Sequence, residues 1–483
     1  MELVRGNRFW IKSKRIGRNE MSQAKLSKKD EKFREFALNG NMWKVLLVTG
    51  TPLALYQTLG MLFKILDSMM ASHISAESVS AVAYLFQILQ ILSSVGGGLA
   101  TGGSLKISQA YGAGDYEMVK KRVSILFGIC AGLGIAVIVG IIPFSRQLLY
   151  LVKTPESLIE IGNQYFIVEL FALVITFLNN VYIAVERARG NSKRILYLNL
   201  LVTGVKLGLT ALFVYVLNGD IVTIGVATLI SQGVMLAAGV VNMNQRGNAF
   251  GFSLRSIRFR KPVLEPMFQV SFPIMVERCA FALGKVIVNS MSGIYGALTV
   301  GALGISNNMS GLTTSSQNGF QEGAAAIISQ NLGAGKKKRV LEAFWKVLVI
   351  NMVVGAAGLS LTMVFIGQLS AIFATSQGGM DQEFQDMIIA IYRYEAWGGA
   401  IPLGINAAVM ALLFGMGYTK ITLLINFLRI FLFRIPVLWG LQHFTALGSE
   451  AVGIVMLVSN TATGIMALAA ALVCVRKMKI AFK

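Results

Sequence analysis

Four charged side chains stand inside long apolar stretches of this chain: Lys64 and Asp67 in one, Glu277 and Lys285 in another. A charge at the centre of a bilayer costs at least about 2.5–3.5 kcal/mol, so each needs a partner or a task. A carboxylate in such a place can exchange its charge for a proton, which is the chemistry of an ion-coupled site. Asp67 could do this, or it could be the structural partner of Lys64, three residues earlier on the same helical face. The two roles are compatible if protonation breaks the pair. Glu277 and Lys285 are eight residues apart, about 80° around a helix, and so share one broad face. Either lysine could snorkel to the headgroups. Facing a cleft instead, the two would favour an anionic or zwitterionic ligand. Three amides, Asn179, Asn180 and Asn406, could line that cleft or simply hydrogen-bond between helices. Glu169 and Glu395 read as ion-pair partners of Lys206, Arg393, Arg429 or Arg434.

The elements that must position these residues are membrane helices. The 483 residues are 55% hydrophobic and only 14% charged, against about 25% charged in soluble domains. Twelve apolar stretches between residues 44 and 474 are each long enough to cross a bilayer, which takes about 20 residues. Runs such as Ile125 to Ile142 are apolar on every side, unlike the alternating pattern of a barrel strand. The net charge of +21 is one-sided: Lys120 to Arg122, Lys336 to Arg339 and both tails fall on one side of the alternating spans. The opposite connections hold only Arg146 and Lys153. This positive-inside pattern predicts a multi-pass cell-membrane protein with both termini cytoplasmic. It leaves no separate basic domain for nucleic acid. Residues 1–42 lack the apolar core of a cleavable signal and read as a basic, unstructured tail near anionic headgroups. Cys130, Cys279 and Cys474 all fall in apolar stretches, so no disulfide framework is expected.

Sliding the chain on itself by 221 residues sets Pro52 on Pro273 and Lys64 on Lys285. The same shift sets Ser108-Gln109-Ala110-Tyr111-Gly112-Ala113-Gly114 on Ser329-Gln330-Asn331-Leu332-Gly333-Ala334-Gly335, with five of seven residues identical. A shift of 227 sets Asn179 on Asn406 and Gly190 to Lys193 on Gly417 to Lys420. The chain therefore reads as an all-α membrane protein with two pseudo-symmetric six-helix lobes around a central cleft. The expected boundaries are a tail at 1–42, lobes at 43–243 and 265–475, a basic linker at 244–264 and a basic C-terminus at 476–483. An even number of spans per lobe makes the lobes parallel, related by an axis along the membrane normal. That plan suits alternating access. The S-Q-x-x-G-A-G element reads as helix capping at the basic side. Gly335-Lys336 does not complete a phosphate-binding loop, because residue 330 is Gln and residue 337 is Lys. Two histidines, His73 and His443, without ligand spacing argue against a metal centre and against an enzyme.

The paired S-Q-x-x-G-A-G motifs, the prolines opening the first and seventh spans, Asp67, and G-x-[ST]-K after the fourth and tenth spans resemble the multidrug and toxic-compound extrusion (MATE) family over residues 36–475. The resemblance implies a monomeric antiporter that exports small organic compounds in exchange for protons or sodium, powered by the ion gradient without a cofactor. It implies that Asp67 is the ion-linked carboxylate and that Glu277 is a second coupling candidate. Sodium-linked relatives carry an aspartate near the place of Ile405, beside Asn406, and no carboxylate stands there. Protons are the expected ion. The wider superfamily includes flippases of lipid-linked sugars, so an exporter of lipid-linked or anionic metabolites is the alternative.

Overall fold

A computed structural model describes residues 26–71, 74, 76–151, 156–244, 248–257, 259–375 and 382–480. The side chains of several helical residues, 64–69 among them, lie outside the description, so the expected roles of Lys64 and Asp67 rest on sequence alone. His73 is also outside it.

A short helix, Lys28–Asn39 (α1), precedes the long ones. The first half then runs through Met42–Ala71 (α2), Ala76–Ala113 (α3), Tyr116–Ile141 (α4), Glu156–Ala188 (α5), Ser192–Ala211 (α6) and Ile221–Met243 (α7). The second half opens with Lys261–Ser292 (α8), Ala297–Gly333 (α9) and Lys337–Val364 (α10). Gln382–Ala400 (α11) and Pro402–Met416 (α12) follow, broken where Pro402 removes a backbone donor. Thr419–Leu428 (α13) and Ile435–Phe444 (α14) are joined by a π-helical turn, Arg429–Arg434, and Glu450–Ile480 (α15) closes the chain. Ten helical stretches among the described residues are long and apolar enough to cross a membrane. The remaining two expected spans lie within α8 and α9, which are 32 and 37 residues long. These helices fall short in apolarity, not in length. Glu277, Arg278 and Lys285 lie on α8, and serine, threonine, asparagine and glutamine crowd α9.

The two halves meet through α2 on α9 and α3 on α8, and glycines set how close they come. A Cβ on Gly98 or Gly102 of α3 would fall 2.5 Å from Met275 Cα or 2.3 Å from Ser271 Cα of α8. The repeat mates do the same: a Cβ on Gly319 of α9 would lie 2.4 Å from Ala54 Cα, and one on Gly323 would lie 3.2 Å from Gly50 Cα. At the α1 end, α3 and α9 cross on their own repeated motif. A Cβ on Gly112 would sit 1.9 Å from the Gln330 carbonyl oxygen, and one on Gly333 would sit 1.9 Å from that of Gln109. Gly114 and Gly335, with φ of 79° and 74°, take the left-handed conformation that ends each helix. The motif caps the helices, as its glycines predict, and it is also the contact between them.

Residues 28–39 correct the expectation of an unstructured tail. Ser27 caps α1 by accepting from the Asp30 backbone N–H at 3.1 Å, and the helix straddles the seam. On the first half, Arg189 donates through Nε and Nη2 to the two Asp30 carboxylate oxygens at 3.0 and 2.9 Å. Arg34 donates to the Tyr111 and Gly112 carbonyls at 3.0 and 2.8 Å, and Tyr111 donates to the Asp30 carbonyl. On the second half, Arg339 donates to the Ala37 and Gly40 carbonyls at 3.2 and 2.8 Å, and Lys336 to that of Leu38 at 3.1 Å. An apolar core then joins Ala37, Met42, Val45 and Leu46 to Phe344, Val347 and Ile328.

Candidate functional site

Beyond the glycine seam, away from α1, the halves part around a cavity of about 720 Å³. Its wall is built on one stripe of α8. Glu277, Phe281, Lys285 and Asn289, each four residues after the last, all line it, as the helical period requires. Facing them are Gln87, Gln90 and Ser94 of α3, Asn180 of α5, Asn318 and Gln321 of α9, Asn406 of α12 and Asn426 of α13.

The Glu277 carboxylate is held by two uncharged donors. Thr422 Oγ1 donates to one oxygen at 2.7 Å and Asn426 Nδ2 to the other at 2.8 Å. Its neighbour Arg278 turns the other way, donating to Thr101 Oγ1 at 3.0 Å and lying 4.0 Å from Glu322, which also pairs with Arg187 across the seam. Further along α8, the Lys285 ammonium and the Arg429 guanidinium both lie against the ring of Phe281, at 5.3 and 5.2 Å from its centroid. Arg429 Nη2 donates to Asn460 Oδ1 at 2.7 Å, and Arg434 Nη2 reaches the same oxygen at 3.0 Å. The π-helical turn explains that convergence. Its i→i+5 bonding brings residues five apart onto nearly one face, where an α-helix would set them far apart.

The structure brings four of the expected site residues to one wall: Asn180, Glu277, Lys285 and Asn406. Asn179 is elsewhere. Its Nδ2 donates to Gln232 on α7, to the backbone oxygen at 3.0 Å and to Oε1 at 2.9 Å, so it ties two helices of the first half together. Glu395, expected as a counter-ion, is buried, accepts from Ser306, and lies within electrostatic reach of Arg434, Lys285 and Arg429. Sequence reasoning did not assign three groups on this wall. Phe281 was findable, since it is the next step of the stripe that begins at Glu277. Asn426 was findable too, as the repeat mate of Asn199. Arg429 was read only as a counter-ion.

No metal-binding group of His, Cys, Asp and Glu occurs among the described residues. The cavity's chemistry is that of amides, three cations, one carboxylate and an apolar ring, and it suits reversible binding of a polar organic molecule.

The family profile described as MatE matches residues 52–212 and 273–439. The matches begin at the paired prolines, 221 residues apart, and end 227 residues apart, the two offsets of the internal repeat. The chain is 23% identical over 417 residues to the probable multidrug resistance protein YoeA of Bacillus subtilis, covering 84% of this chain and 88% of that protein. It is 23% identical over 331 residues to the multidrug export protein MepA of Staphylococcus saprophyticus, covering 68% and 72%. An outward-facing multidrug resistance MATE transporter of the MOP superfamily superposes with a TM-score of 0.87 at 19% identity, over 94% of this chain and 99% of that one. So does a MOP superfamily transporter from Pyrococcus furiosus described as having a binding pocket of reversed polarity, with the same score, identity and coverage. The chain belongs to the MatE family, whose members are multi-pass membrane transporters and not enzymes.

Proposed function

We propose that this transporter exports organic compounds in exchange for protons by alternating access, with Glu277 as a proton-carrying group. The observation that carries the reading is the Glu277 carboxylate, set in the cavity wall with only Thr422 and Asn426 as hydrogen-bond partners. An uncharged environment lets the side chain take and give a proton without breaking an ion pair. Protonation turns an acceptor oxygen into a donor, so Thr422 and Asn426 must rearrange. Both sit on α13, three to seven residues before Arg429. The proton is thereby linked to the position of a second cavity helix.

The twelve spans, and termini placed in the cytoplasm by the lysine and arginine asymmetry, complete the reading. In that orientation the α1 end is cytoplasmic, and the cavity lies on the outer side of the sealed glycine seam. The relatives named for multidrug resistance and export support organic compounds as cargo.

The test is transport in proteoliposomes with an imposed pH gradient and a panel of fluorescent organic anions, zwitterions and cations. The wild type should concentrate at least one compound against its gradient. Glu277→Gln should retain downhill exchange and lose the response to the pH gradient. An unchanged response would remove Glu277 from the coupling. Asp67→Asn, run in parallel, reads the α2 carboxylate that the family resemblance implies.

A further inference from the structure

The charge in the cavity is distributed in a way that proton coupling does not explain. Among the described lining residues, every charged one comes from the second half: Glu277, Arg278, Lys285 and Arg429. The first half contributes amides, hydroxyls and apolar groups, such as Gln87, Gln90, Ser94 and Asn180. Adding the charged groups behind the wall does not restore neutrality. Glu322 is engaged by Arg187 and Arg278, and Glu395 faces Arg434, so five cations stand against three carboxylates. In a low-dielectric bundle, such an excess attracts negative charge strongly.

Two of the cations converge on one place. The Lys285 ammonium and the Arg429 guanidinium lie against the same Phe281 ring, at 5.3 and 5.2 Å. Arg429 still has capacity for a ligand: its Nε is buried with no hydrogen-bond partner in the protein. The π-helical turn that begins at Arg429 holds it there, and π-turns of this kind recur at functional sites.

Building on the transport reading above, we infer that Lys285 and Arg429, flanking Phe281, form a subsite for an anionic group of the organic substrate. The guanidinium and ammonium take a sulfonate, carboxylate or phosphate oxygen, and the ring packs against the apolar body of the compound. Charge-assisted hydrogen bonds of this type are the strong ones. The same chemistry could arrive on a water-soluble compound or on the headgroup of an anionic lipid.

The test needs no gradient, so it is independent of the coupling mechanism. Purified protein in detergent is titrated with three probes of one shape and different charge: naphthalene-2-sulfonate, 2-naphthylmethanol and (2-naphthylmethyl)trimethylammonium. Binding is read by thermal shift, with a short-chain phosphatidylglycerol as a fourth arm. The sulfonate or the lipid should bind at least tenfold more tightly than the alcohol, and the ammonium more weakly than either. Lys285→Gln and Arg429→Gln should each cost the preferred anion roughly tenfold to a hundredfold, while leaving the alcohol unchanged. Arg429→Lys, which keeps the charge, should retain most of the preference and shows that the site still folds. Binding of the sulfonate alone assigns the subsite to soluble anions, and binding of the lipid alone assigns it to headgroups. Equal affinity for sulfonate and ammonium, or variants that keep the anion preference, would overturn the subsite. If the anion binds but no pH gradient drives transport, the subsite stands and the coupling reading falls.

Discussion

The α1 strap makes a quantitative demand. It bonds to both halves at the end where they meet, so its contacts should stabilise that closed end specifically. Its anchor on the first half is the bidentate pair between Arg189 and Asp30, whose side chains are 8% and 2% exposed. Breaking a buried pair by removing one partner costs about 3–5 kcal/mol. Here Arg189 keeps a second carboxylate, Glu186, at 3.1 Å, so about 2–3 kcal/mol is the reasonable loss for Asp30→Asn. At 1.4 kcal/mol per tenfold, that moves the ratio of closed to open α1 ends by roughly 30- to 100-fold. The assay is the distance between spin labels at Glu117 and Lys338, one on each half beside the strap. The wild type should give one narrow, short distance, and Asp30→Asn should add a longer population. If Asp30→Asn lowers the melting temperature while the distance distribution stays as in the wild type, α1 supports the fold of the first half and does not clamp the seam.

Two further outcomes follow from the same geometry. Gly333→Ala places a Cβ 1.9 Å from the Gln109 carbonyl oxygen only when the halves are closed at the α1 end. It should therefore open that end by about 1–3 kcal/mol, read as a longer Glu117–Lys338 label distance in a protein that still elutes as one folded species; aggregation together with an unchanged distance would count against this account. The second is the sign of a pH effect on naphthalene-2-sulfonate, which stays charged throughout. With the geometry fixed, protonating Glu277 removes a negative charge and tightens anion binding as pH falls. Exchange requires the reverse, so protonation must act by moving α13 and Arg429, and affinity should fall as pH falls in the wild type and stay flat in Glu277→Gln. Tighter binding at acid pH, abolished by Glu277→Gln, would mean that proton and anion travel together and would end the exchange reading.

How much of this was legible in the sequence depends on the range over which each feature is encoded. The apolar blocks are local, and the structure forms helices over all of them. Glu277 and Lys285 were placed on one face by spacing alone, because α8 runs without a break through both. Arg429 was not, since its direction depends on a π-turn, and a single extra residue per turn shifts the phase of everything after it. The strap was invisible for a different reason. Lys28–Asn39 is short and polar, too short to be stable alone, and the arginine that fixes its aspartate lies 159 residues away. Nothing within the segment announces that partner.

The repeat shows which features symmetry preserves and which it does not. Gly98 and Gly319, Gly102 and Gly323, and Gly112 and Gly333 are all pairs at the 221 offset, and their contact partners are pairs at that offset as well. A motif that packs against its own copy across a pseudo-twofold axis must be kept in both halves, because a Cβ in either would force the helices apart. That is the reason the S-Q-x-x-G-A-G element recurs so closely. The cavity obeys no such constraint. Gly98 maps onto Gly319 at the seam, but one turn away Arg278 maps back onto Gln57, and Glu277 onto Tyr56. The scaffold is symmetric where the halves touch each other and asymmetric where they face the cavity. The asymmetric positions are therefore where cargo and ion specificity is written, and on the described wall they place every charge in the second half.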